Sequence, residues 1–461
     1  MFKKIEIEKK LVLLFLPIFL IGLKFDNKFL IISFFLLPLI FELINSKKHY
    51  VPIFELQLLF FLISNIIVFF LDYKFVNYLI NTHLSGHIAE TNYDAQIFKK
   101  TFYNNILLLG FFVSGFYLYS FLFKKKKIKI KNSVSKNSKL NYFKIFQLIF
   151  SIYILINVSQ LTNFNIKFFF LKFNNFFFIL QIIFLFLYFK EKKFRIFYFY
   201  LIAYFLAFYE FFKNGSQINF IFLGFILCIL EWYLKKKINF LAIFLSLFII
   251  FSTQYFKIEY RVYKNNPTEF YSKRIIESDD SFVKKNNFIN GYKEQSLNVS
   301  YLRIFMPGIT FYIQEKQNVK NWDGKSYKPL LYILIPRVIW NKKPNLTYGN
   351  EYGKYIGILA ESDLTSINLS VFNEAFINFG YYGLIIIMIL GTLSALVSQF
   401  LNVTLQKKNF IYPLVIMPAL LNFIYVEVNM AYMLSNTILL SALALLIIYI
   451  FETFNFFYEK D

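Results

Sequence analysis

Cysteine, histidine, arginine and acidic residues are scarce in this 461-residue chain. The single Cys228, inside an apolar run, excludes a disulfide within the chain. With His only at 49, 83 and 87, no Cys/His zinc site is expected. His83 and His87 have the i, i+4 spacing of metal ligands on a helix, but nothing else completes a site, so neither a metal nor a cofactor is expected. Asp and Glu number 27 against 50 Lys and Arg, a formal net charge of +23. Much of that excess lies in short Lys clusters beside apolar runs, where it sets topology and meets anionic lipid. Charge alone therefore establishes no acidic substrate, and no nucleic-acid partner is inferred. The N-terminal "MFKKIEIEKKLVLLFLPIFLIGLKF" lacks a small-x-small cleavage site and runs into Lys24 and Lys28, so it reads as a retained first span. No internal sequence repeat is evident.

Apolar residues are abundant. The chain is 57% hydrophobic and 22% aromatic, a bias that an AT-rich coding sequence also produces. Its repeated apolar runs are long enough to cross a hydrocarbon core of roughly 30 Å. The expectation is an all-α integral membrane protein with about twelve transmembrane helices. They are placed near 11–23, 29–45, 53–72, 103–123, 145–162, 174–189, 196–212, 217–234, 238–255, 378–402, 411–426 and 431–452. With a cytoplasmic N-terminus, the short loops "NSKKHY", "KKKKIKIKNSVSKNSK", "KEKKFR", "KKK" and "QKK" all fall on the cytoplasmic side. Both termini then face the cytoplasm. The chain divides into helices 1–9 over 1–255, one large external loop over 256–377, and helices 10–12 over 378–461. Within that loop, "YLRIFMPGITFYIQ" and "KPLLYILIPRVIW" are semi-apolar but too short to span, which suits interfacial segments.

The succession "IPRVIWNKKP", "YGNEYGKYIG" and "TSINLSVFNEAFINFGYYGLIIIMILG" resembles the C-terminal half of bacterial oligosaccharide repeat-unit polymerases, the Wzy-type O-antigen and capsular polysaccharide family. Those proteins carry a Pro-Arg-x-x-Trp segment closing on Lys-Pro, a Gly/Asn/Tyr stretch, then a Glu and an Asn-Phe-Gly, here Glu374 and Asn378 to Gly380. The resemblance covers about residues 255 to 400. It implies a C-type glycosyltransferase architecture in the bacterial inner membrane, with the large loop periplasmic. The implied reaction moves a growing glycan from polyprenyl (undecaprenyl) diphosphate onto an incoming lipid-linked repeat unit. Membrane lipids, a chain-length regulator and a flippase are the implied partners.

That chemistry assigns candidate roles. A lipid diphosphate leaving group needs fixed cations, and the planar Arg fork binds phosphate oxygens bidentately. Arg261, Arg303 and Arg337, all in the external loop beside apolar sequence, are the diphosphate candidates, with Lys343 as a further contact. Each could equally snorkel to the interface. Trp340, Tyr348, Asn350 and Asn378 are the glycan-contacting candidates, and Trp322 and Trp340 also suit interfacial anchoring. The acceptor hydroxyl must lose a proton, and Glu374 is the candidate general base. Asn378 follows at i+4, on the same helix face. Glu210 and Glu427 are weaker carboxylates near external span ends.

Two rivals remain. An O-antigen ligase shares the architecture but resembles a family with a catalytic His in the large loop, and residues 256–377 hold no His. A lipid-linked oligosaccharide flippase or other transporter more naturally carries its charges at mid-membrane.

Overall fold

The computed structural model describes residues 17, 20–45, 53–83, 94–122, 141–159, 167–191, 196–214, scattered positions between 220 and 249, 305–333, 335, 340, 343–344, 346–361, 367–406, 411–424 and 428–453. Every regular element among them is helical. In chain order they are α1 (Lys28–Asn45), α2 (Ile53–Phe61), α3 (Tyr73–His83), α4 (Asp94–Leu122), α5 (Tyr142–Ser159), α6 (Lys167–Glu191) and α7 (Ile196–Asn214). After the large loop's first part come α8 (305–317), α9 (Gly349–Tyr355), α10 (Val371–Phe379), α11 (Gly383–Gln406), α12 (Ile411–Ile424) and α13 (Met430–Thr453).

Among the described residues, five stretches are long and apolar enough to cross a membrane: Ile53–Phe70, Asp94–Tyr119, Phe173–Lys190, Val371–Phe400 and Met430–Ile450. The apolar stretches of α5 and α7, Tyr142–Ile156 and Tyr198–Tyr209, are shorter over their described side chains. Helix α4 starts nine residues before the expected 103, because "DAQIFKKTF" continues the helix on a polar first turn led by Asp94, an acid that favours a helix N-terminus. The expected spans near 217–234 and 238–255 fall where only scattered positions are described.

Two apolar cores form. One joins α5, α6 and α7 to the inner faces of α12 and α13, with Phe176, Phe178, Phe184 and Phe199 wholly buried. The other joins α1 to α4 with α8, α10 and α11, around Phe61, Phe102, Phe112, Tyr312 and Phe372. Lipid tails are as apolar as these side chains, so packing rather than transfer from water holds such helices together. Small residues therefore matter where backbones meet. A Cβ on Gly115 of α4 would overlap the Met388 carbonyl of α11, and one on Gly391 would overlap the Phe112 carbonyl of α4. Thr392 completes that seam by donating to the Gly115 carbonyl at 3.1 Å.

Two irregularities shape the second core. Helix α2 runs into a π turn (Leu62–Ile66) and a 3-10 turn (Ile67–Phe70), and Gly308 of α8 lies directly against it, where a Cβ would meet Val68 and the Asn65 carbonyl. Helix α10 begins at Ser370, whose hydroxyl accepts the Asn373 N–H at 3.2 Å, a standard N-cap. It ends at Gly380, with φ 54° and ψ −133°, a backbone position that side chains disfavour. A short 3-10 turn, Gly380–Tyr382, then redirects the chain into α11, and Gly383 packs against the Ala375 carbonyl.

Candidate functional site

Glu374 sits on the fourth residue of α10 and is 0% exposed. Both carboxylate oxygens have donors. Ser326 Oγ donates to Oε1 at 2.6 Å, and the Met430 N–H donates to Oε2 at 2.5 Å. The second donor is the first amide of α13, one of the N–H groups that a helix cannot satisfy internally. The carboxylate therefore lies at the N-terminus of a 24-residue helix, where negative charge is favoured.

Asn378, one turn on, presents the same face, as its i+4 spacing predicts. Its amide nitrogen donates to Ser326 Oγ at 2.8 Å and to the Glu374 carbonyl at 2.7 Å, and its oxygen faces the Ser326 N–H at 3.4 Å. These bonds commit Asn378 to holding Ser326. The serine arrives through a tight turn: Asp323 and Gly324 have φ of 47° and 81°, and the 3-10 segment Lys325–Tyr332 follows. Backbone and ring contacts fix that segment over α10. The Trp322 N–H donates to the Ile377 carbonyl at 2.9 Å, and Tyr327 packs on Phe379 with ring centres 5.5 Å apart.

The loop residues picked from sequence gather around this 3-10 segment. Trp340 meets Tyr332 edge-on at 5.3 Å, and Lys343 stands 5.8 Å from the same ring. The Lys343 ammonium donates to the Ile333 and Ile335 carbonyls at 3.1 and 2.8 Å, so it ties down the segment's end and is only 7% exposed. Tyr348 packs against Trp322 at 6.1 Å. Burial pushes the Tyr348 hydroxyl above its ordinary pKa, and the charges of Tyr332, Glu351 and Glu374 add to the shift. Asn350 lies half-buried on α9. Leu346 is joined to the start of α13, its carbonyl accepting Asn429 Nδ2 at 2.6 Å. Arg261, Arg303 and Arg337 lie outside the described residues, as do His87, Glu427 and the side chains of Glu210 and His83.

A second polar group occupies the same end of the second core. Lys316 of α8 pairs with Asp94 of α4 at 2.8 Å, their side chains 4% and 3% exposed. Asn77 donates to Asp94 at 2.9 Å, and the Tyr312 hydroxyl donates to Asn77 at 3.2 Å. Nearby, Lys100 pairs with Glu315 at 3.0 Å, and the exposed Lys99 pairs with Asp26. A cavity of about 320 Å³ lined by Asp26, Lys28, Asp72, Tyr73, Phe98 and Lys99 shares no residue with the Glu374 cluster.

Sequence reading missed Ser326, Tyr327, Met430 and the Asp94–Lys316 pair. The Asp323-Gly324 dipeptide is a turn signal that locates the bend before Ser326. The Met430 contribution is a backbone N–H, which no residue type announces. Fold and site thus describe a helical protein with membrane-length spans and a buried carboxylate where a loop segment and two helix starts meet. No family model, curated protein sequence or solved structure matches the chain.

Proposed function

We propose that this chain is a membrane glycosyltransferase that joins polyprenyl-diphosphate-linked oligosaccharide repeat units into a surface polysaccharide, with Glu374 as general base. One observation carries the reading. Three sequence-distant pieces of the polymerase-like pattern, around Trp340 and Lys343, around Tyr348, and around Glu374 and Asn378, all contact one loop segment, residues 322 to 335, whose Ser326 docks on the buried carboxylate. The segments that meet there are those the Lys-rich loops assign to the external side.

In the proposed step the acceptor hydroxyl attacks the anomeric carbon of the donor. The bond from that carbon to the diphosphate oxygen breaks with its electron pair leaving on the diphosphate, and the hydroxyl proton passes to Glu374. Arg261, Arg303 and Arg337 are proposed to meet the charge on the leaving diphosphate. Glu374 is covered in this structure, so the acceptor reaches it by displacing the Ser326 hydroxyl from Oε1. Ser326 then keeps its bond from Asn378.

Glu374→Gln tests the assignment in vitro, with purified protein and lipid-linked repeat units. The Gln carbonyl can take the Met430 N–H and its amide can donate to Ser326 Oγ, so the fold survives while the proton acceptor is lost. Polymer formation should fall on the order of 10²- to 10⁴-fold. Wild-type turnover by this variant removes Glu374 from the chemistry. A second reading, transport of a lipid-linked oligosaccharide, is favoured by the interruption of α10 and α11 at Gly380–Tyr382 beside a buried carboxylate, a device of transporters. Movement of repeat units across proteoliposomes without polymer would select that reading.

A further inference from the structure

The cavity lined by Asp26, Lys28, Asp72, Tyr73, Phe98 and Lys99 has no part in the glycosyl-transfer reading. Three helix ends build it. Asn27 caps α1, its side chain accepting the Phe29 and Leu30 N–H groups at 3.1 and 3.3 Å, and Asp26 before it turns the chain with a φ of 52°. The 3-10 turn Ile67–Phe70 ends, and Asp72 then caps α3 by accepting the Lys74 N–H at 3.1 Å. Phe98 and Lys99, early in α4, close the third side. The membrane-length stretches Ile53–Phe70 and Asp94–Tyr119 end and begin beside these residues, which puts the cavity at the depth of lipid headgroups.

Its charges are two of each sign. Asp26 pairs with Lys99 and accepts from the Tyr103 hydroxyl, so it steadies Lys99 in the lining. The Lys28 ammonium donates to the Phe69 carbonyl at 2.6 Å and lies 5.7 and 5.6 Å from the Phe98 and Phe102 ring centres. An ammonium has three donors, and that carbonyl is its one hydrogen-bond acceptor among the described residues. Asp72 uses one oxygen in its cap, and the other has no partner among the described residues. The lining thus holds spare N–H donors and a spare carboxylate oxygen around one small space. At about 320 Å³ it stands at the small end of ligand sites, roughly 300–1,000 Å³, which suits one compact group and not an oligosaccharide. Two carboxylates oppose a diphosphate, and two ammonium groups oppose a bare cation. A ligand carrying both signs meets neither objection. Phe25 and Phe29, flanking Asp26 and Lys28 in sequence, are 69% and 74% exposed, as rings at a span end in contact with lipid are.

We propose that this cavity binds the zwitterionic headgroup of an ethanolamine phospholipid, its phosphate on Lys28 and Lys99 and its ammonium on Asp72, with the acyl chains along Phe25 and Phe29. The site stands independently of the glycosyl-transfer reading. Charge-assisted hydrogen bonds supply the recognition. A primary ammonium offers N–H groups to the Asp72 carboxylate, whereas a choline headgroup has none to offer and a glycerol headgroup leaves Asp72 without a counter-charge. So bound, the lipid joins the start of α1 to the bend before α3 and the start of α4.

Native mass spectrometry of the full-length protein, titrated in detergent with dioleoyl phosphatidylethanolamine, phosphatidylcholine or phosphatidylglycerol, is the test. The wild-type protein should retain the ethanolamine lipid at least about tenfold better than either of the others, the effect of one hydrogen bond to a charged group. Asp72→Asn removes the charge and keeps the cap, because Asn caps a helix as well as Asp does, and it should abolish that preference at an unchanged unfolding midpoint. Equal retention of the three lipids by the wild-type protein overturns the proposal, since apolar contact alone then holds them. Preference for the glycerol lipid overturns it too, because the two lysines then form a plain anion site. So does an undiminished preference in Asp72→Asn. If that variant also lowers the midpoint, Lys99→Gln decides in its place, because the Lys99 side chain is 54% exposed. A roughly tenfold loss of the ethanolamine lipid then supports the site, and full retention overturns it.

Discussion

The helix group α5, α6 and α7 and the end of the second core around α4, α8, α10 and α13 are built from the same apolar residues, and they differ in what interrupts them. Helix α6 is buried almost all round, from Phe173 to Leu187, with Asn174, Asn175 and Gln181 as its polar exceptions and Asn175 half-buried. At the other site Asn77, Asp94, Gln314, Ser326, Asn373, Glu374 and Asn378 are all buried. A buried polar group costs several kcal/mol, roughly 2–7, unless it is bonded. Most of these side chains meet one another or a backbone group across elements far apart in sequence. Apolar content explains why both regions are helical. The polar atoms at one end, joined across four elements, set that end apart as the place where chemistry is affordable in a dry interior.

The sharpest way to break this contrast is to strip one charge from the polar end. Lys316→Met leaves Asp94 buried with Asn77 as its remaining named donor, and removing one partner of a buried ion pair typically costs about 3–5 kcal/mol. The unfolding midpoint in detergent should drop steeply. Adding Asp94→Asn should restore most of the loss, since replacing both charges is often near neutral. Equal midpoints for the single and double variants would show that the pair does not hold α4 to α8.

A smaller effect belongs to the seam between α4 and α11. Gly391→Val forces a side chain against the Phe112 carbonyl, and overpacking of this kind costs about 1–3 kcal/mol or more. Gly110 on the same α4 helix is the control, because nothing lies within 4 Å of where its Cβ would be. Gly110→Ala should stabilise by roughly 0.5–1 kcal/mol through helix propensity alone. The two glycine changes should therefore move the unfolding midpoint in opposite directions.

Much of the helical layout was legible because long apolar runs leave little choice. Reading 145–162, 196–212 and 431–452 from hydropathy lands within a few residues of α5, α7 and α13. The i+4 relation of Glu374 and Asn378 was legible for the same local reason. The span expected near 378–402 lies within a longer helical stretch, helical from Val371, turning at Gly380 and restarting at Gly383. Gly380 was visible in the sequence, but its positive φ of 54° and its place beside Asn321 of the loop segment were not. Ser326 and Glu374 stand 48 residues apart, and no local pattern links them. Lys343, picked from sequence as a phosphate contact, holds two backbone carbonyls in this structure. That use depends on where the 3-10 segment ends in space.

The smallest expected effect concerns the outer edge of the polar end. Lys325, the first residue of the 3-10 segment that carries Ser326, pairs with Glu351 of α9, and both side chains are about half exposed. Its ammonium also stands 5.7 Å from the Trp322 ring centre. An exposed pair contributes only about 0–1 kcal/mol and weakens with salt. Glu351→Gln should therefore leave the unfolding midpoint within about 2–4 °C of wild type, the shift that 1 kcal/mol gives in a chain of 150–250 residues or more. The segment is latched over Glu374 by the buried Ser326 and Asn378 bonds, not by this pair, so polymer formation should also stay within about twofold. Ser326→Ala removes a donor from the buried carboxylate and should cost more than Glu351→Gln on both readouts. If the surface change proved the more damaging of the two, the segment would be held from its solvent side, and the buried cluster would lose its place as the determinant of this end of the molecule.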